Sequence, residues 1–365
     1  MAEEDPPGLA AWLALNWAEL SPEVAARLLD HYESSARLLA EPEESLARTC
    51  RLSSSALERL RAARARNFEA ELATLARLGI SLITRTGGDY PANLRHIPDP
   101  PIALFVRGRL QPQDERAVAI VGTRSSSPYG RLVAESLARD LAARGITVVS
   151  GLAPGIDAAA HRGALAAGGR TIAVLGCGMD IPYPQENIEI REQIVAQGAV
   201  VTEVPLGAPP VGWRFPVRNR IISGLSLGVV VVEAPEKSGA LITARLAGEQ
   251  GREVFAVPGS VSGPHSRGCH ALIRDGAKLV ESVDDILEEL TIEAGPPEPT
   301  PEQPRPNLSP EEDQLLRLLS LQQKHVDALI EESALPASQV SACLLMLELK
   351  GLVRRLPGNL FLRVR

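Results

Sequence analysis

The chain shows three successive patterns of apolar and polar positions. Up to about residue 80 the large apolar residues recur at helical spacing, as Leu13, Trp17 and Leu20 do, which predicts a small all-helical domain. Between residues 117 and 280 the apolar residues form short continuous runs separated by helix-length segments. From residue 308 onward three helical stretches lead into two short strand-like runs, an order typical of a winged helix.

The middle pattern predicts a doubly wound parallel sheet. Its runs are rich in β-branched residues and almost continuously apolar, as strands buried on both faces require. Their alternation with helices is typical of the Rossmann-like α/β class. The predicted strands are 117–121, 146–149, 171–175, 199–202, 228–232, 253–257 and 277–280. Two more strand-like pieces, 81–84 and 103–106, lie in a proline-punctuated connector over 81–110.

These patterns predict four parts of the chain. Six prolines among polar residues between 296 and 306 indicate a linker. Ser309 and Pro310 before two glutamates indicate that a new helix starts behind it. The expected parts are an N-terminal all-helical domain of the SAM or helix-hairpin kind (1–80), an extended Rossmann-like domain (81–291), a Pro-rich linker (292–308) and a C-terminal winged-helix domain (309–365).

Composition narrows the class of protein. The four cysteines of this 365-residue chain lie far apart and form no CxxC pair, which favours reduced thiols over a disulfide framework. The acidic N-terminus lacks the layout of a signal peptide, and no apolar run reaches membrane-spanning length. We therefore expect a cytoplasmic protein without a membrane segment.

Charge and aromatic content restrict the mode of any nucleic-acid binding. A net charge of −7 argues against a nucleic-acid partner, but residues 213–232 hold three arginines and no acidic residue. Aromatic residues make up only 3% of the chain, so contacts to a nucleic acid should rely on phosphates more than on stacked bases. A local anion site on an acidic protein is consistent with both observations.

Candidate anion-binding residues follow the first strand of the parallel sheet, because ligands of such sheets bind outside the carboxyl ends of the strands. Gly122 permits close backbone approach, and Arg124 offers a bidentate fork to phosphate. Thr123 and Ser125 add hydroxyl donors. Helix capping explains the hydroxyl residues but not an arginine beside the glycine, so we expect an anion site here.

Three later loops carry similar chemistry. The first opens a helix after the second strand, the second supplies many donors without a counter-charge, and the third resembles a phosphate cradle at a helix N-terminus. Pairing of the arginines with Glu203 and Glu233 is the structural alternative, and one arginine can be structural while another faces a ligand. The candidates are Ser150 and Gly151, then Arg218, Asn219 and Arg220, then Lys237, Ser238, Gly239 and Thr243.

No motif indicates a cofactor, a metal or catalysis. The GxGxxG and GxxxxGK[ST] patterns are absent, so NAD, FAD and ATP are not expected. Asp157 and His161, four residues apart on one helix, form either an acid–base or metal pair or, more commonly, a structural pair. His265, Cys269 and His270 cluster without a second pair of ligands and are weak evidence for zinc.

The loops closely resemble those of the DNA-processing protein A (DprA/Smf) family over about residues 89–290. The shared motifs are Val121-Gly-Thr-Arg-Ser, Ser150-Gly-Leu-Ala-x-Gly-Ile-Asp-x-x-Ala-His161, Phe215-Pro-x-Arg-Asn-Arg-Ile-Ile-Ser-Gly224, Lys237-Ser-Gly-Ala-Leu-Ile-Thr-Ala244 and Val257-Pro-Gly-Ser. The resemblance implies a homodimer, formed through the Rossmann-like domain, that binds and protects single-stranded DNA and loads the RecA recombinase during natural transformation. It implies no enzymatic activity, and it assigns DNA contact to Gly122, Thr123, Arg124, Arg218, Arg220, Lys237, Ser238 and Gly239.

Two other functions stay open at this point. Related Rossmann-like proteins of the lysine-decarboxylase-like group are nucleotide phosphoribohydrolases, but the glutamate of their PGGxGTxxE motif has no counterpart here. A regulator that binds duplex DNA through the winged helix is the second alternative. The chain from Ser309 holds seven basic and seven acidic residues, so its charge leaves duplex binding, partner binding and autoregulation open.

Overall fold

The computed structural model describes residues 6–32, 35–292, 307–320 and 323–363. Its contacts divide the chain into two compact units. The larger unit comprises the residues up to 125 and those from 134 to 298, and the smaller comprises 126–133 and 299–365. Most of the predicted linker lies outside the described residues, and the bounds of the four predicted parts stay predictions.

Helices occupy the part of the larger unit that precedes the sheet, as predicted. Ser53 starts one of them, because its hydroxyl accepts a hydrogen bond from the backbone N–H of Ala56 at 3.3 Å. Gly79 ends the last one in the left-handed conformation that glycine adopts without strain. The helices are α1 (Pro6–Trp17), α2 (Pro22–Tyr32), α3 (Ser35–Ala40), α4 (Glu43–Thr49), α5 (Ser54–Ala65) and α6 (Glu69–Leu78).

These helices share a hydrophobic core with the sheet. Leu13, Leu38 and Leu60 are buried in one cluster with Phe105 and Val200, which belong to sheet strands. Burial of such large apolar side chains is the main stabilising contribution to folding. The N-terminal helices are therefore packed into the larger unit.

A nine-stranded sheet forms the centre of the larger unit. Its strands are β1 (Ile80–Thr84), β2 (Ala103–Gly108), β3 (Ala117–Val121), β4 (Thr147–Ser150), β5 (Thr171–Val174), β6 (Ala199–Thr202), β7 (Gly228–Val231), β8 (Glu253–Ala256) and β9 (Lys278–Leu279). They lie in the order β1-β2-β6-β5-β4-β3-β7-β8-β9. The seven strands from β3 to β9 pair in parallel and confirm the predicted strands to within about a residue at each end.

The connector predicted over 81–110 is part of this sheet. Its two strand-like pieces are β1 and β2, and β2 also pairs with β6. Both pairings are antiparallel, so the parallel sheet has an antiparallel extension at one edge. The sequence predicts the strands but not this pairing, because an apolar run does not specify its partner.

Strand order creates a crevice in the middle of the sheet. From β3 the chain first moves in one direction, through β4, β5 and β6, and then in the other, through β7, β8 and β9. The loops after β3 and β7 therefore diverge at the point where a ligand site is expected in a doubly wound sheet. The associated helices are α7 (Ala92–Arg95), α8 (Pro128–Ala142), α9 (Ile156–Ala166), α10 (Ile188–Gln197), α11 (Arg214–Gly224), α12 (Gly239–Glu249), α13 (Arg267–Arg274) and α14 (Val283–Glu289).

The C-terminal residues form the predicted winged helix. Its elements are α15 (Pro310–Leu318), β10 (Lys324–His325), α16 (Val326–Ser333), α17 (Ala337–Leu349), β11 (Val353–Leu356) and β12 (Leu360–Arg363). A capping box of Ser309 and Glu312 starts α15. Leu315, Leu344 and Phe361 belong to its core. The two-residue strand β10, which pairs with β12, was not predicted.

Candidate functional site

A cleft of about 480 Å³ lies in the crevice at the carboxyl ends of the central strands. The loops after β3 and β7 and the first turns of α11 form its walls. Of the predicted site residues, the cleft brings together Gly122, Thr123, Arg124, Ser125, Arg218, Asn219, Lys237, Ser238, Gly239 and Thr243. Ser150, Gly151 and Arg220 do not line it.

Two exposed cations stand on opposite walls of the cleft. Arg124 follows β3, and its guanidinium carbon lies 5.0 Å from the centroid of the Phe215 ring, a cation–π contact that orients the side chain. Lys237 follows β7 and is exposed. Within the described part of the chain neither side chain takes part in an ion pair. Both charges are therefore available to an anion.

The N-terminus of α12 lies on the same wall as Lys237. Ser238 caps the helix by accepting a hydrogen bond from the backbone N–H of Ala240 at 3.3 Å, and the first turn holds no acidic side chain. A Cβ atom at Gly239 would meet no other atom within 4 Å, so the backbone there borders open space. A helix start without an acidic side chain, and with its first residue open to solvent, favours an anion.

Arg218 forms the floor of the cleft. Its side chain is 5% exposed, and Nη1 donates to the carbonyl oxygens of Gly151, at 2.8 Å, and Val174. Burial lowers the pKa of Arg218 to about 10, while the nearby Asp157 carboxylate acts in the opposite direction. Arg218 therefore remains charged at neutral pH but is fixed to the backbone.

Ser150 and Gly151 support this floor from behind. The Ser150 hydroxyl is buried and donates to the carbonyl oxygen of Ile120 at 2.6 Å. A Cβ atom at Gly151 would lie 2.6 Å from a guanidinium nitrogen of Arg218. A side chain at position 151 would therefore displace the guanidinium from the place where its hydrogen bonds to Gly151 and Val174 hold it.

Arg220 points away from the cleft. Its Nη2 lies 2.5 Å from the Glu203 carboxylate and its Nε lies 3.0 Å from Asp99, with the side chain buried. The sequence placed Arg218 and Arg220 together in a loop, whereas the helix α11 already begins at Arg214. Residues two apart on a helix project in nearly opposite directions. The structural alternative of pairing with Glu203 thus describes Arg220.

Asp157 and His161 do not form a pair with each other. Asp157 lines the cleft and accepts from the backbone N–H of Ala153 at 3.3 Å, and burial raises its pKa although Arg218 lowers it. His161 Nδ1 lies 2.7 Å from the Thr171 hydroxyl, and complete burial lowers the pKa of His161 to about 3. The histidine is therefore neutral and belongs to the core.

The cysteine–histidine cluster takes ordinary structural contacts. The Cys269 thiol faces the carbonyl oxygen of Val231 at 3.6 Å, and His270 Nε2 lies 3.1 Å from the carbonyl oxygen of Gly259. Over the residues that the structure describes, no group of three His, Cys, Asp or Glu residues is arranged to hold a metal ion. Nor is any helix in those ranges long and apolar enough to cross a membrane.

Phe215 lines the cleft, and its role there was not predicted from the sequence. Its ring contacts the guanidinium groups of Arg124 and Arg218, at 5.0 and 5.9 Å, and the ring of Tyr183, at 5.7 Å. The aromatic side chain thus separates and orients the two arginines. An aromatic residue three positions before Arg218 is visible in the sequence, but its contact with both arginines depends on how the cleft folds.

Fold and cleft together define an extended Rossmann-like protein whose switch-point crevice presents two cations and a helix N-terminus. The chain belongs to the family described as DNA recombination-mediator protein A, whose model matches residues 81–291. The model of the DprA winged helix domain matches residues 298–359.

Individual relatives cover most of the chain. Protein Smf of Escherichia coli K12 is 40% identical over 309 residues, 82% of each chain, and the DNA processing protein DprA of Bacillus subtilis is 45% identical over 220 residues, 60% of this chain and 74% of that one. The solved structure of DNA processing protein A from Streptococcus pneumoniae aligns with a TM-score of 0.67 at 37% identity, over 76% of this chain and 95% of that one. The solved structure of DNA processing protein A from Helicobacter pylori is described for its single-stranded DNA binding mode. It aligns with a TM-score of 0.54 at 29% identity, over 60% of this chain and 99% of that one.

Proposed function

We propose that this protein binds single-stranded DNA through the cleft and acts on that DNA in recombination. The observation that carries the proposal is the charge of the lining. Arg124 and Lys237 are exposed at the cleft beside the N-terminus of α12, and Asp157, buried against Arg218, is the sole carboxylate among the described lining residues. Such a lining neutralises phosphates, which supply most of the affinity in sequence-independent binding.

A polymer of phosphates fits this arrangement better than one small ligand. The donors come from three separate segments, and the cleft lacks the fingerprint of a dinucleotide or nucleoside triphosphate site. The relative from Helicobacter pylori, whose solved structure is described for single-stranded DNA binding, supports the same class of ligand. We assign contact with phosphates to Gly122, Thr123, Arg124, Ser125, Asn219, Lys237, Ser238, Gly239 and Thr243, and a supporting role to Ser150, Gly151, Arg218 and Arg220.

The wider role that we propose follows from family membership. In this role, the protein is a cytoplasmic homodimer joined through the Rossmann-like domain. It protects incoming DNA and loads the RecA recombinase during natural transformation, without enzymatic activity of its own. The test is the lag of RecA filament formation on single strands covered by a single-strand binding protein. We expect wild type to shorten this lag and an Arg124→Ala variant to leave it long.

Fluorescence anisotropy of a labelled oligonucleotide, single- or double-stranded, across a salt series tests DNA binding itself. We expect preference for the single strand and weaker binding at higher salt. Arg124→Ala and Lys237→Ala should each weaken binding by about 1 kcal/mol or more and lower the salt slope by about one. Arg61→Ala is the matched control, because Arg61 is an exposed arginine of α5, paired with Glu43.

The contrary outcomes separate the alternatives. Equal affinity for duplex, with no effect of either variant, would place binding on the winged helix instead. Absence of binding to either form would remove the proposal. Release of free base from a nucleoside monophosphate would then favour the phosphoribohydrolase.

A further inference from the structure

We propose that the exposed indole of Trp213 is a stacking platform for one base of the strand whose phosphates occupy the cleft. The inference rests on the proposed function and adds a site for a nucleobase to the phosphate contacts. The low aromatic content of the chain argues against binding by many stacked bases, but one preorganised platform is compatible with it.

The exposure of Trp213 is unusual in this chain. The indole is 61% exposed, and it is the one aromatic side chain among the large apolar residues that the described ranges leave exposed. Trp12, by contrast, is buried among the N-terminal helices. Phe215, the other aromatic residue of this turn, already contacts Arg124, Arg218 and Tyr183. Trp213 therefore has a free aromatic surface that Phe215 lacks.

Arg214 holds the indole in place from one side. Its guanidinium carbon lies 5.1 Å from the centroid of the Trp213 ring. That guanidinium is itself fixed, since Nη1 donates to the carbonyl oxygen of Pro209 at 2.9 Å and Nη2 donates to the Glu19 carboxylate at 3.2 Å. One face of the indole is thus covered and the other is open. A fixed platform loses little conformational entropy when a flat ligand stacks on it.

The platform adjoins the phosphate cleft. Gly212 and Phe215 line the cleft, while Trp213 and Val217 line a second groove of about 430 Å³. Consecutive residues are about 3.8 Å apart, so Gly212 and Trp213 separate the two surfaces by a single step of the chain. A nucleotide whose phosphate lies in the cleft can therefore place its base on the indole.

The lining of the groove favours a base over a phosphate. Around Trp213 and Val217 it is formed largely by apolar side chains, among them Pro101, Ile102 and Val204. Glu19 and Glu203 also border it, but each is already paired with an arginine of the same lining, Glu19 with Arg214 and Glu203 with Arg220. An aromatic base buries apolar surface there and carries no charge, so it is the part of the strand that fits.

The test compares an oligonucleotide with one of equal length in which abasic residues replace the nucleosides, using wild type, Trp213→Ala and Trp213→Phe. We expect wild type to bind the abasic strand about tenfold more weakly. Trp213→Ala should bind the normal strand about tenfold more weakly than wild type and lose little more on the abasic strand. Trp213→Phe, which keeps an aromatic face, should restore most of the affinity.

Intrinsic fluorescence supplies a second readout. Stacking should quench the emission of Trp213 when the normal strand is added to wild type. Trp213→Phe should abolish that quenching, because both other tryptophans lie in α1, Trp12 buried in the core and Trp17 packed against it and covered by Arg66. Thermal unfolding of Trp213→Ala should match that of wild type, since an exposed side chain contributes little to the core.

The outcomes distinguish stacking from phosphate binding. If Trp213→Ala binds both strands as wild type does while Arg124→Ala binds them weakly, stacking is wrong and the proposed function stands. If wild type binds neither strand, both proposals fall. If the abasic strand binds wild type as tightly as the normal strand, the indole takes no base.

Discussion

Two kinds of glycine surround the cleft, and only one kind is explained by packing. A Cβ atom at Gly122 would lie 2.5 Å from the Ile156 side chain, and one at Gly155 would lie 2.5 Å from the carbonyl oxygen of Arg124. A Cβ atom at Gly239 would meet nothing. The fold therefore requires the first two glycines, whereas Gly239 is free to serve the approach of a ligand.

Gly239→Ala separates these roles. We expect the variant to fold with unchanged or slightly higher stability, since the added methyl group meets no protein atom and alanine favours the helix. Its affinity for single strands should fall several-fold, because the methyl group stands where a phosphate would approach the first turn of α12. Gly248→Ala, near the other end of the same helix and equally free of neighbours, is the control and should bind DNA normally. Normal binding by both variants would place the phosphate elsewhere.

The free energy of unfolding depends on pH because His161 is buried in its neutral form. Its pKa is about 3 in the folded protein, against about 6.5 in the unfolded chain. The unfolded state therefore binds a proton that the folded state does not, and the free energy of unfolding falls as pH drops from about 6.5 toward 3. The contribution reaches up to about 1.4 kcal/mol per pH unit.

His161→Asn should remove that part of the acid sensitivity. We expect the difference in unfolding free energy between wild type and the variant to shrink by roughly 1 kcal/mol between pH 6 and pH 5, as measured by urea denaturation. Parallel pH curves for the two proteins would contradict the neutral, buried state of this histidine.

At the scale of elements, close packing of helices sets a second constraint. A Cβ atom at Gly163, in α9, would lie 2.1 Å from the carbonyl oxygen of Glu135, in α8. The two helices thus approach each other through a position that tolerates no side chain. Because the obstacle is backbone, a small rotamer change does not relieve it.

Gly163→Ala should therefore destabilise the protein by about 1–3 kcal/mol, as forced overpacking does. Gly248→Ala makes the same substitution inside a helix without a neighbour, and we expect it to be neutral or stabilising by up to about 1 kcal/mol. Chemical denaturation of the two variants measures the difference. Equal stabilities would show that α8 and α9 separate at little cost.

The elements also show what the sequence could and could not predict. The parallel strands β3 to β7 were predicted closely, because strands buried on both faces consist of almost continuous apolar runs. The pairing of β2 with β6 was not, since the two segments are far apart in sequence. Arg218 and Arg220 were assigned together because the start of α11 at Arg214 was missed, and a helix separates them by nearly half a turn. The exposure of Trp213 was not predicted, since exposure is a property of the fold.

The whole molecule contains at least two independent sets of core residues. The core of the winged helix includes Leu315, Leu344 and Phe361. None of its residues belongs to the two described cores that contain sheet strands. Each set buries its own apolar surface, which is the condition for a domain to fold by itself. The net charge of the whole chain, −7, does not predict the charge of the cleft, whose lining is cationic.

Separate cores predict separate unfolding. Differential scanning calorimetry of the full chain should show a transition that is reproduced by a fragment of residues 307–365 alone, and the remaining heat should match a fragment of residues 1–292. A single transition that neither fragment reproduces would mean that the two parts of the chain represented by these fragments stabilise each other.

The contact between Gly151 and Arg218 also restricts how the protein can change. In a library randomised at position 151 alone, we expect glycine to be enriched, because any other side chain there displaces the buried guanidinium. Randomising position 218 alone would leave Asp157 without its buried partner and a gap beside the glycine. Replacing the pair therefore requires simultaneous substitutions at positions 151 and 218, which lie 67 residues apart. We expect single mutations to replace it only rarely in descendants of this chain.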